Sequence, residues 1–399
     1  MNFESKFFVN YGYFPTYENS RKLSLYNIDK SQYEGLSFQE LVEVGTYKLK
    51  KAIENNFVTN EKHLVPISGG LDSRCILAAL LEYTDARNIE TYTFGSPKSL
   101  DFDIGNLIAK EVGTKHKSFD LSLYKYSEKS LKEAANQTGF QTLLFYHAPV
   151  DLIHSNFISC CSWSGFMGDP LAGSKLLTVP SKNILQAKRM YLIKNLFSEV
   201  EFLIPEDKIL SYVQCDGEVS SEQLTLDEQI DFENRQFKYI EPHVLMGDFK
   251  HKLPFLDKNF CEFMLSVDNK YRVKQFLYES ILLSAFPKLF NLPTKNKFGL
   301  PLSASKGAVK FRRFYNKLLS FGTNNNLNTN YVDFCGKIRY DDDFQSLVRE
   351  NIMQLEDKKI FEDSDVVLAE ILDKHVSGKC NYTNSLLGLA SLNININNK

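Results

Sequence analysis

The stretch that most constrains the fold is a short apolar run followed by a proline and two glycines. Residues 63–67 are His-Leu-Val-Pro-Ile, and an apolar run of this length is typical of a buried parallel strand. Pro66 lacks the N–H that a strand ladder needs, so the strand should end there. The turn that follows is formed by Ser68, Gly69 and Gly70. From Asp72 the pattern becomes helical. The free N–H groups at a helix start, with the positive end of its dipole, predict an anion-binding site.

The composition narrows the class of protein. With 399 residues, of which 43% are hydrophobic and 24% charged, the chain is typical of a globular protein of one large or two smaller units. Its formal net charge of -2 gives no general affinity for nucleic acid. The seven cysteines are scattered without a Cys-x-x-Cys pair, which indicates a reduced, cytoplasmic setting without a zinc ribbon. No signal peptide or apolar stretch of transmembrane length is evident, so no membrane partner is expected.

Predicted strands alternate with predicted helices in the first half of the chain. The predicted strands are 64–66, 89–95, 117–121 and 156–163, and the predicted helices are 36–56, 72–81, 103–112, 122–136 and 145–155. This alternation predicts an α/β fold with a doubly wound parallel sheet. Ligands of such sheets bind beyond the carboxyl ends of the strands. The stretches 68–72, 94–95 and 165–173 each follow a strand, so we expect them to meet at one rim.

The rest of the chain is predicted to be mostly helical. Residues 1–35 are rich in aromatic residues and are expected to form an irregular arm, and the asparagine-rich end is expected to fray. A polar loop is predicted at 216–222 and a low-complexity linker at 322–330. Further helices are predicted at 224–240, 258–267, 274–286, 344–356 and 363–374. The predicted parts are an N-terminal arm and helix (1–56), an α/β core (57–182), a helical part (183–321) and a helical C-terminal extension (331–399).

Three further motifs follow the glycine loop in chain order. They are Gly165-Phe166-Met167-Gly168-Asp169-Pro170-Leu171-Ala172-Gly173, Leu253-Pro254-Phe255-Leu256-Asp257 and Leu292-Pro293-Thr294-Lys295-Asn296-Lys297-Phe298-Gly299-Leu300-Pro301. With Ser-Gly-Gly-Leu-Asp-Ser at 68–73, they resemble the synthetase domain of asparagine synthetase and its relatives, which include β-lactam synthetase and the lasso-peptide cyclases. The resemblance covers residues 60–305. The loop itself resembles the pyrophosphate loop of the ATP pyrophosphatase superfamily and lacks the Gly-Lys-Ser/Thr of a Walker loop.

The resemblance implies an adenine nucleotide alpha hydrolase-like, Rossmann-like core and an ATP-dependent amide-forming ligase. In such enzymes a substrate carboxylate attacks the α-phosphorus of ATP, which gives an acyl-adenylate and pyrophosphate. Ammonia or another amine then attacks the acyl carbon and releases AMP. A site of this kind acts mainly by stabilising charge and by positioning the reacting groups. The implied ligands are ATP as a substrate, Mg2+, a small-molecule or peptide carboxylate, and an amine donor.

The resemblance also assigns roles to residues by their place in the motifs. The residues implied to hold ATP or pyrophosphate are Ser68, Gly69, Gly70, Leu71, Asp72 and Ser73. Asp72 and Asp169 match the two carboxylates that ligate magnesium in the family. Lys297 matches the lysine that neutralises charge in both steps, and Phe94 and Gly95 match the strand end beside the adenosine. This interpretation requires Asp72 and Asp169 to meet over the glycine-lined pocket and Lys297 to face it.

The chain departs from the family pattern at three places. Glutamine-using members begin with a nucleophilic cysteine, whereas position 2 is Asn2, so no glutaminase activity is expected. Ammonia, a separate amidotransferase subunit or an amine on the substrate must then supply nitrogen. Phe166 stands where asparagine synthetase has an aspartate and β-lactam synthetase a tyrosine. Lys250 stands where the family usually has a glutamate, which belongs with the amine-activating residues of β-lactam synthetase. These changes leave the nitrogen step and acceptor specificity open.

Two other interpretations stay open beside the ligase. A tRNA-modifying enzyme of the same superfamily would need a basic surface and often paired cysteines, and neither is evident in the sequence. A non-catalytic descendant that binds ATP or a partner through the old site would account for Phe166 and Lys250. The ligase is the favoured interpretation, because the glycine loop and the later motifs occur in the expected order.

Overall fold

The main sheet consists of five parallel strands in a computed structural model that describes residues 2–17, 28–215, 223–245, 247, 249–320, 331–361 and 366–398. The strands are β1 (His63–Pro66), β2 (Ile89–Gly95), β3 (Lys115–Asp120), β4 (Cys161–Trp163) and β5 (Lys250–Lys252). Their order across the sheet is β3-β2-β1-β4-β5. A separate antiparallel pair is formed by β6 (Pro293–Thr294) and β7 (Leu300–Pro301). The predicted doubly wound α/β fold is therefore confirmed.

Helices surround this sheet and build the rest of the chain. In chain order they are α1 (Asn2–Tyr11), α2 (Phe38–Asn56), α3 (Asp72–Leu80), α4 (Leu100–Val112), α5 (Glu128–Gln137), α6 (Val150–Asn156), α7 (Gly168–Leu171), α8 (Ile184–Asn195), α9 (Glu206–Tyr212), α10 (Leu226–Ile230), α11 (Glu241–Val244), α12 (Lys258–Ser266), α13 (Asn269–Arg272), α14 (Phe276–Ala285), α15 (Pro287–Phe290), α16 (Lys306–Ser320), α17 (Phe334–Tyr340), α18 (Asp342–Asp357), α19 (Leu368–Val376) and α20 (Thr383–Asn398). A π-helix, Asp231–Ile240, continues α10.

Within the described part of the chain, no helix has both the length and the apolar character needed to cross a bilayer.

The central strand is buried on both faces, as its continuous apolar run predicts. Leu64 belongs to an apolar cluster that includes Ile153 of α6. The next residue, Val65, belongs to a larger cluster that includes Ile76 of α3 and Leu49 of α2. Because successive side chains of a strand point to opposite faces, one helical layer covers each side of the sheet.

The strand order creates a crevice at the carboxyl end of β1. β1 pairs with β2 on one side, with His63 opposite Ile89, and with β4 on the other, with His63 opposite Cys161. The chain therefore builds the sheet outward through β2 and β3 before it returns to the other side of β1. Such a change of direction leaves an opening in which α/β sheets bind ligands. The loops that follow β1 and β4 lie at this opening.

The two ends of the chain share a second apolar core, which corrects two predictions. Residues 2–11, expected to be irregular, form α1, and its Phe7 and Phe8 are fully buried. The asparagine-rich end, expected to fray, forms α20, which is buried along most of its length. Asn395 donates to the carbonyl of Thr142 at 3.0 Å. The asparagine-rich composition led to the wrong prediction of fraying, because asparagine amides can form hydrogen bonds inside a packed core.

Some predicted boundaries are also wrong. The strand predicted at 156–163 is only β4, because α6 extends through Asn156. The helix predicted at 145–155 begins at Val150, directly after Pro149. The predicted end of the helix 103–112 is confirmed, since Gly113 caps α4 in the left-handed conformation with φ 81. The predictions for 216–222 and 322–330 lie outside the described residues.

Candidate active site

The loop after β1 turns tightly and opens directly into α3. Gly70 donates its N–H to Ser68 Oγ at 3.2 Å. Leu71 precedes α3, and no side chain caps the helix start. A Cβ on Gly69 would lie 3.0 Å from the carbonyl oxygen of Leu100, so the loop has little room for a larger residue there. The uncapped N–H groups of α3 are available to an anion.

Two carboxylates meet above this helix start. Asp72 accepts a hydrogen bond from the Tyr278 hydroxyl at 2.8 Å, through its Oδ1 atom. Burial, followed by the negative charge of Asp169, raises the pKa of Asp72 to about 7. A backbone hydrogen bond from Asp169 to the Asp72 carboxylate opposes part of this shift. The structure therefore brings together the two residues that the sequence predicts as magnesium ligands.

Asp169 lies on α7, the short helix after β4, and its carboxylate is held by neutral donors. Its Oδ2 accepts a hydrogen bond from Ser174 Oγ at 2.6 Å, and its Oδ1 accepts one from Gln275 Nε2 at 2.8 Å. No described lysine or arginine forms an ion pair with Asp72 or Asp169. The site thus holds two neighbouring carboxylates without a cationic partner from the described residues.

Two glycines of the motif at residues 165–173 allow Asp169 to lie close to Asp72. A Cβ on Gly168 would lie 2.6 Å from Cγ of Asp72. A Cβ on Gly165 would lie 2.7 Å from Cβ of Asp72. Real Cβ atoms do not pack so closely, so a side chain at either position would displace Asp72. The glycines explain in physical terms why this motif accompanies the aspartate of the first loop.

Gly168→Ala is expected to destabilise the protein by about 1–3 kcal/mol, because the added methyl group overlaps the Asp72 carboxyl group. Urea unfolding monitored by circular dichroism measures the change. Gly35→Ala is the matched control, since a Cβ at Gly35 meets nothing within 4 Å. Equal unfolding free energies for the two variants would contradict the described packing of Gly168 against Asp72.

The motif around residue 295 covers the loop from the other side. Arg74 of α3 donates to three carbonyl groups of the segment 289–293, at 2.6 to 3.2 Å. Lys295 then donates its N–H to the Gly69 carbonyl at 2.9 Å, and its ammonium group pairs with Asp101. These contacts fix a lysine directly beside the glycine loop.

Lys297 does not meet the expectation that it faces the pocket. Its Nζ donates to both carboxylate oxygens of Glu279, at 2.8 and 2.7 Å. This ion pair directs the ammonium group to α14. Lys295 and Asn296 line the second cavity, whereas Lys297 is not among its lining residues. The requirement that Lys297 face the pocket is therefore not met, and its charge-neutralising role stays an untested prediction. Lys295 is the lysine of this motif that lines the cavity.

Two adjoining cavities, of about 490 and 480 Å³, open beside the loop. The residues that line both are Pro66, Ser68, Gly70, Leu71, Asp72, Ser73, Tyr92, Phe94, Asp169 and Tyr331. Phe94 thus lines both cavities, whereas Gly95 is not among the residues named for either, and their place beside an adenosine stays a prediction. Ser73 Oγ is buried and has no hydrogen-bond partner within the described chain. An orphaned hydroxyl at the helix start is a natural donor to a bound phosphate.

The larger cavity extends from the carboxylates past Phe166 to Arg235 and His243. The Phe166 ring packs edge-on against Phe237, with centroids 5.8 Å apart. Burial, followed by the proximity of another imidazole, lowers the pKa of His243 to about 3, so this side chain is neutral. Lys250 is instead exposed on the edge strand β5, where it pairs with a glutamate at 2.5 Å. Of the two unusual residues, only Phe166 lines the cavity.

The sequence did not reveal the residues that donate hydrogen bonds to the two carboxylates. Tyr278 lies within an apolar stretch of α14, where the pattern indicates only a core position. Gln275 reaches Asp169 because it and Lys274 both adopt left-handed conformations, with φ of 63 and 58. Such angles are uncommon for residues other than glycine, and the residue types gave no signal for them. Asp257, the last residue of the Pro-Phe-Leu-Asp motif, caps α12 by accepting hydrogen bonds from two backbone N–H groups.

A comparison with protein families agrees with this geometry. Residues 46–136 match the family model of asparagine synthase. The matched stretch contains the glycine loop, α3 and Phe94, and it ends before Asp169. Enzymes of that family use ATP, and the match supports an ATP-dependent, synthetase-like function in general. The resemblance inferred from the sequence is thus confirmed over residues 46–136, where this chain matches the asparagine synthase family model.

Proposed function

We propose that this chain is an AMP-forming ligase that adenylates a substrate carboxylate and transfers the acyl group to ammonia or another amine. The observation that carries the proposal is the meeting of Asp72 and Asp169 above a glycine loop and an uncapped helix start. This arrangement offers carboxylates for a cation and N–H groups for phosphates within one cavity. A nucleotide with its metal ion needs both.

The residues present fit a magnesium ion. Carboxylate oxygens are ligands that Mg2+ prefers, and it commonly takes one or two of them together with phosphate oxygens and water. No group of three or more potential metal-ligating side chains occurs in the described parts of the chain, so substrate oxygens and water would complete the coordination. A divalent cation would also offset the repulsion that raises the pKa of Asp72. When bound, it would neutralise charge on the phosphates.

The chain's own residues would hold the nucleotide for attack at the α-phosphorus. The N–H groups of α3 and Ser73 Oγ would receive the departing pyrophosphate. Lys295 would add positive charge beside the loop. Phe94 and Tyr331 would provide an aromatic wall that excludes water, and their ring centroids are 6.2 Å apart. The acyl substrate would occupy the larger cavity, because that cavity reaches the same two carboxylates.

The nitrogen step differs from that of a typical family member. Lys250 is exposed at the sheet edge, so the position at which the family usually has a glutamate supplies no base to the cavity. Phe166 places an apolar ring in the cavity wall instead of a carboxylate. For this reason the proposal does not name asparagine as the product. The nitrogen would come from ammonia, from an amine already on the substrate or from a separate amidotransferase subunit.

The test is a screen for pyrophosphate release from ATP and Mg2+ against pools of small carboxylates and carboxylate-bearing peptides, with ammonium present. We expect AMP and pyrophosphate in equal amounts, only in pools that contain the substrate. Production of ADP in their place would contradict the proposal. ATP binding without turnover in every pool would favour a non-catalytic relative, the alternative that Phe166 and Lys250 suggest.

A further inference from the structure

A cationic, aromatic helix lies next to the candidate site. α16 follows β7 and begins after Ser305, whose Oγ accepts the N–H of Ala308 at 3.2 Å. The guanidinium of Arg313 lies 6.0 Å from the ring centroid of Phe298, the residue after Lys297. The helix contains no acidic residue. Its basic residues are Lys306, Lys310, Arg312, Arg313 and Lys317.

The apolar face of α16 points away from the protein. Its residues are Phe311, Phe314, Tyr315 and Leu318, which are 71%, 61%, 46% and 54% exposed. Their spacing of i, i+3, i+4 and i+7 places them on one side of the helix. The partly buried residues Val309, Arg312 and Asn316 lie on the opposite side. A surface helix normally turns its apolar stripe to the core, so this orientation is inverted and exposes an apolar ridge.

The basic residues beside the apolar ridge of α16 indicate which kind of surface can bind there. Lys310 and Lys317 lie beside one edge of the apolar face. A second copy of the chain would bring these like charges together, which is unfavourable. A negatively charged surface would complement them. The face is a convex ridge on an exposed helix, which suits insertion into a soft interface.

We propose that α16 binds the surface of an anionic phospholipid membrane. Helices that lie in a membrane interface combine a polar face rich in Lys and Arg with Phe or Leu on the other face and low net hydrophobicity, and α16 has each feature. The aromatic face enters the boundary between headgroups and acyl chains. Lys310 extends its apolar stem along that boundary and places its ammonium group at the headgroup phosphates. The sequence-based expectation of no membrane partner rested on transmembrane length, which a helix lying on the surface does not need.

The experiment is co-sedimentation of the full chain with phosphatidylcholine vesicles and with vesicles that contain equal parts of phosphatidylcholine and phosphatidylglycerol. We expect binding to the anionic vesicles only, weakened by added salt. Phe311→Ser with Phe314→Ser should weaken binding at least about tenfold, because two buried rings are lost. Lys310→Gln should weaken it about fivefold. Ile193→Ser, at a helix residue that is 72% exposed elsewhere, is the matched control and should change nothing.

Three results would overturn the proposal. The first is no binding to anionic vesicles, or equal binding to neutral ones. The second is unchanged binding of the Phe311→Ser, Phe314→Ser variant when its circular dichroism matches that of the wild type. The third is a dimer of the wild type in sedimentation equilibrium that this variant separates into monomers, which would assign the ridge to a second copy of the chain.

Discussion

Asp72→Asn is expected to lower the rate of substrate-dependent pyrophosphate release at least about 100-fold. The asparagine keeps the size of the side chain and an oxygen that can accept from Tyr278, and it loses the negative charge. A metal ion that offsets charge on reacting phosphates supplies several kcal/mol, and each 1.4 kcal/mol is about tenfold in rate. Coupled detection of pyrophosphate, with the carboxylate identified by the screen, measures the effect.

Loss of folding must be separated from loss of chemistry in this variant. Asp72 and Asp169 repel each other in the protein without bound metal, so Asp72→Asn should not lower the unfolding midpoint. Asp343→Asn is the control, because Asp343 is exposed in the first turn of α18. Retention of more than one-tenth of the wild-type rate by Asp72→Asn would contradict the role proposed for its carboxylate.

Arg272→Met is expected to lower the free energy of unfolding by about 3–5 kcal/mol, the usual cost of breaking a buried ion pair. The Arg272 side chain is fully buried and its Nη2 lies 2.7 Å from Glu228 Oε1. Its guanidinium also donates to the Leu171 carbonyl at 3.3 and 3.0 Å. Leu171 ends α7, the helix that carries Asp169, so the substitution should weaken ATP binding as well. Chemical denaturation and nucleotide titration measure the two effects.

A surface ion pair provides the comparison for Arg272. Arg189 pairs with Glu206 at 2.5 Å, but their side chains are 54% and 62% exposed. Arg189→Met should cost about 0–1 kcal/mol, because solvent screens such pairs. The double variant Arg272→Met, Glu228→Gln should recover part of the loss, since it no longer leaves a charge buried alone. Similar losses of unfolding free energy for Arg272→Met and Arg189→Met would contradict the claim that burial makes the Arg272 ion pair costly to break.

The sequence predicts those parts of the fold that depend on short stretches of chain. The apolar run before Pro66 specifies a buried strand, the glycines specify the turn, and the helix start follows at Asp72. The chain order of the motifs further suggested that Asp72 and Asp169 share a pocket. A parallel sheet places these loops at one rim, so local patterns were enough to predict that Asp72 and Asp169 line one cavity.

Features that depend on distant packing could not be predicted in this way. Tyr278 reaches Asp72 from α14, a helix that packs mainly against α2, and an apolar helix pattern does not show which side chain faces a cavity. Lys295 and Lys297 are two residues apart in one motif, and their ion pairs with Asp101 and Glu279 determine which of them lines the cavity. The burial of α20 depends on partners outside the helix for its asparagine amides, such as the Thr142 carbonyl and the side chains of Asn351 and Gln354.

Calorimetric titration of ATP into the wild type, with Mg2+ and with EDTA, tests the central claim most directly, because it needs no knowledge of the acyl substrate. Two carboxylates without a cationic partner should repel the phosphates of ATP unless a divalent ion lies between them. We therefore predict at least about tenfold tighter binding with Mg2+, and no such difference in Asp169→Asn. Equal affinity of the wild type under both conditions, or an unchanged dependence on Mg2+ in Asp169→Asn, would contradict the account.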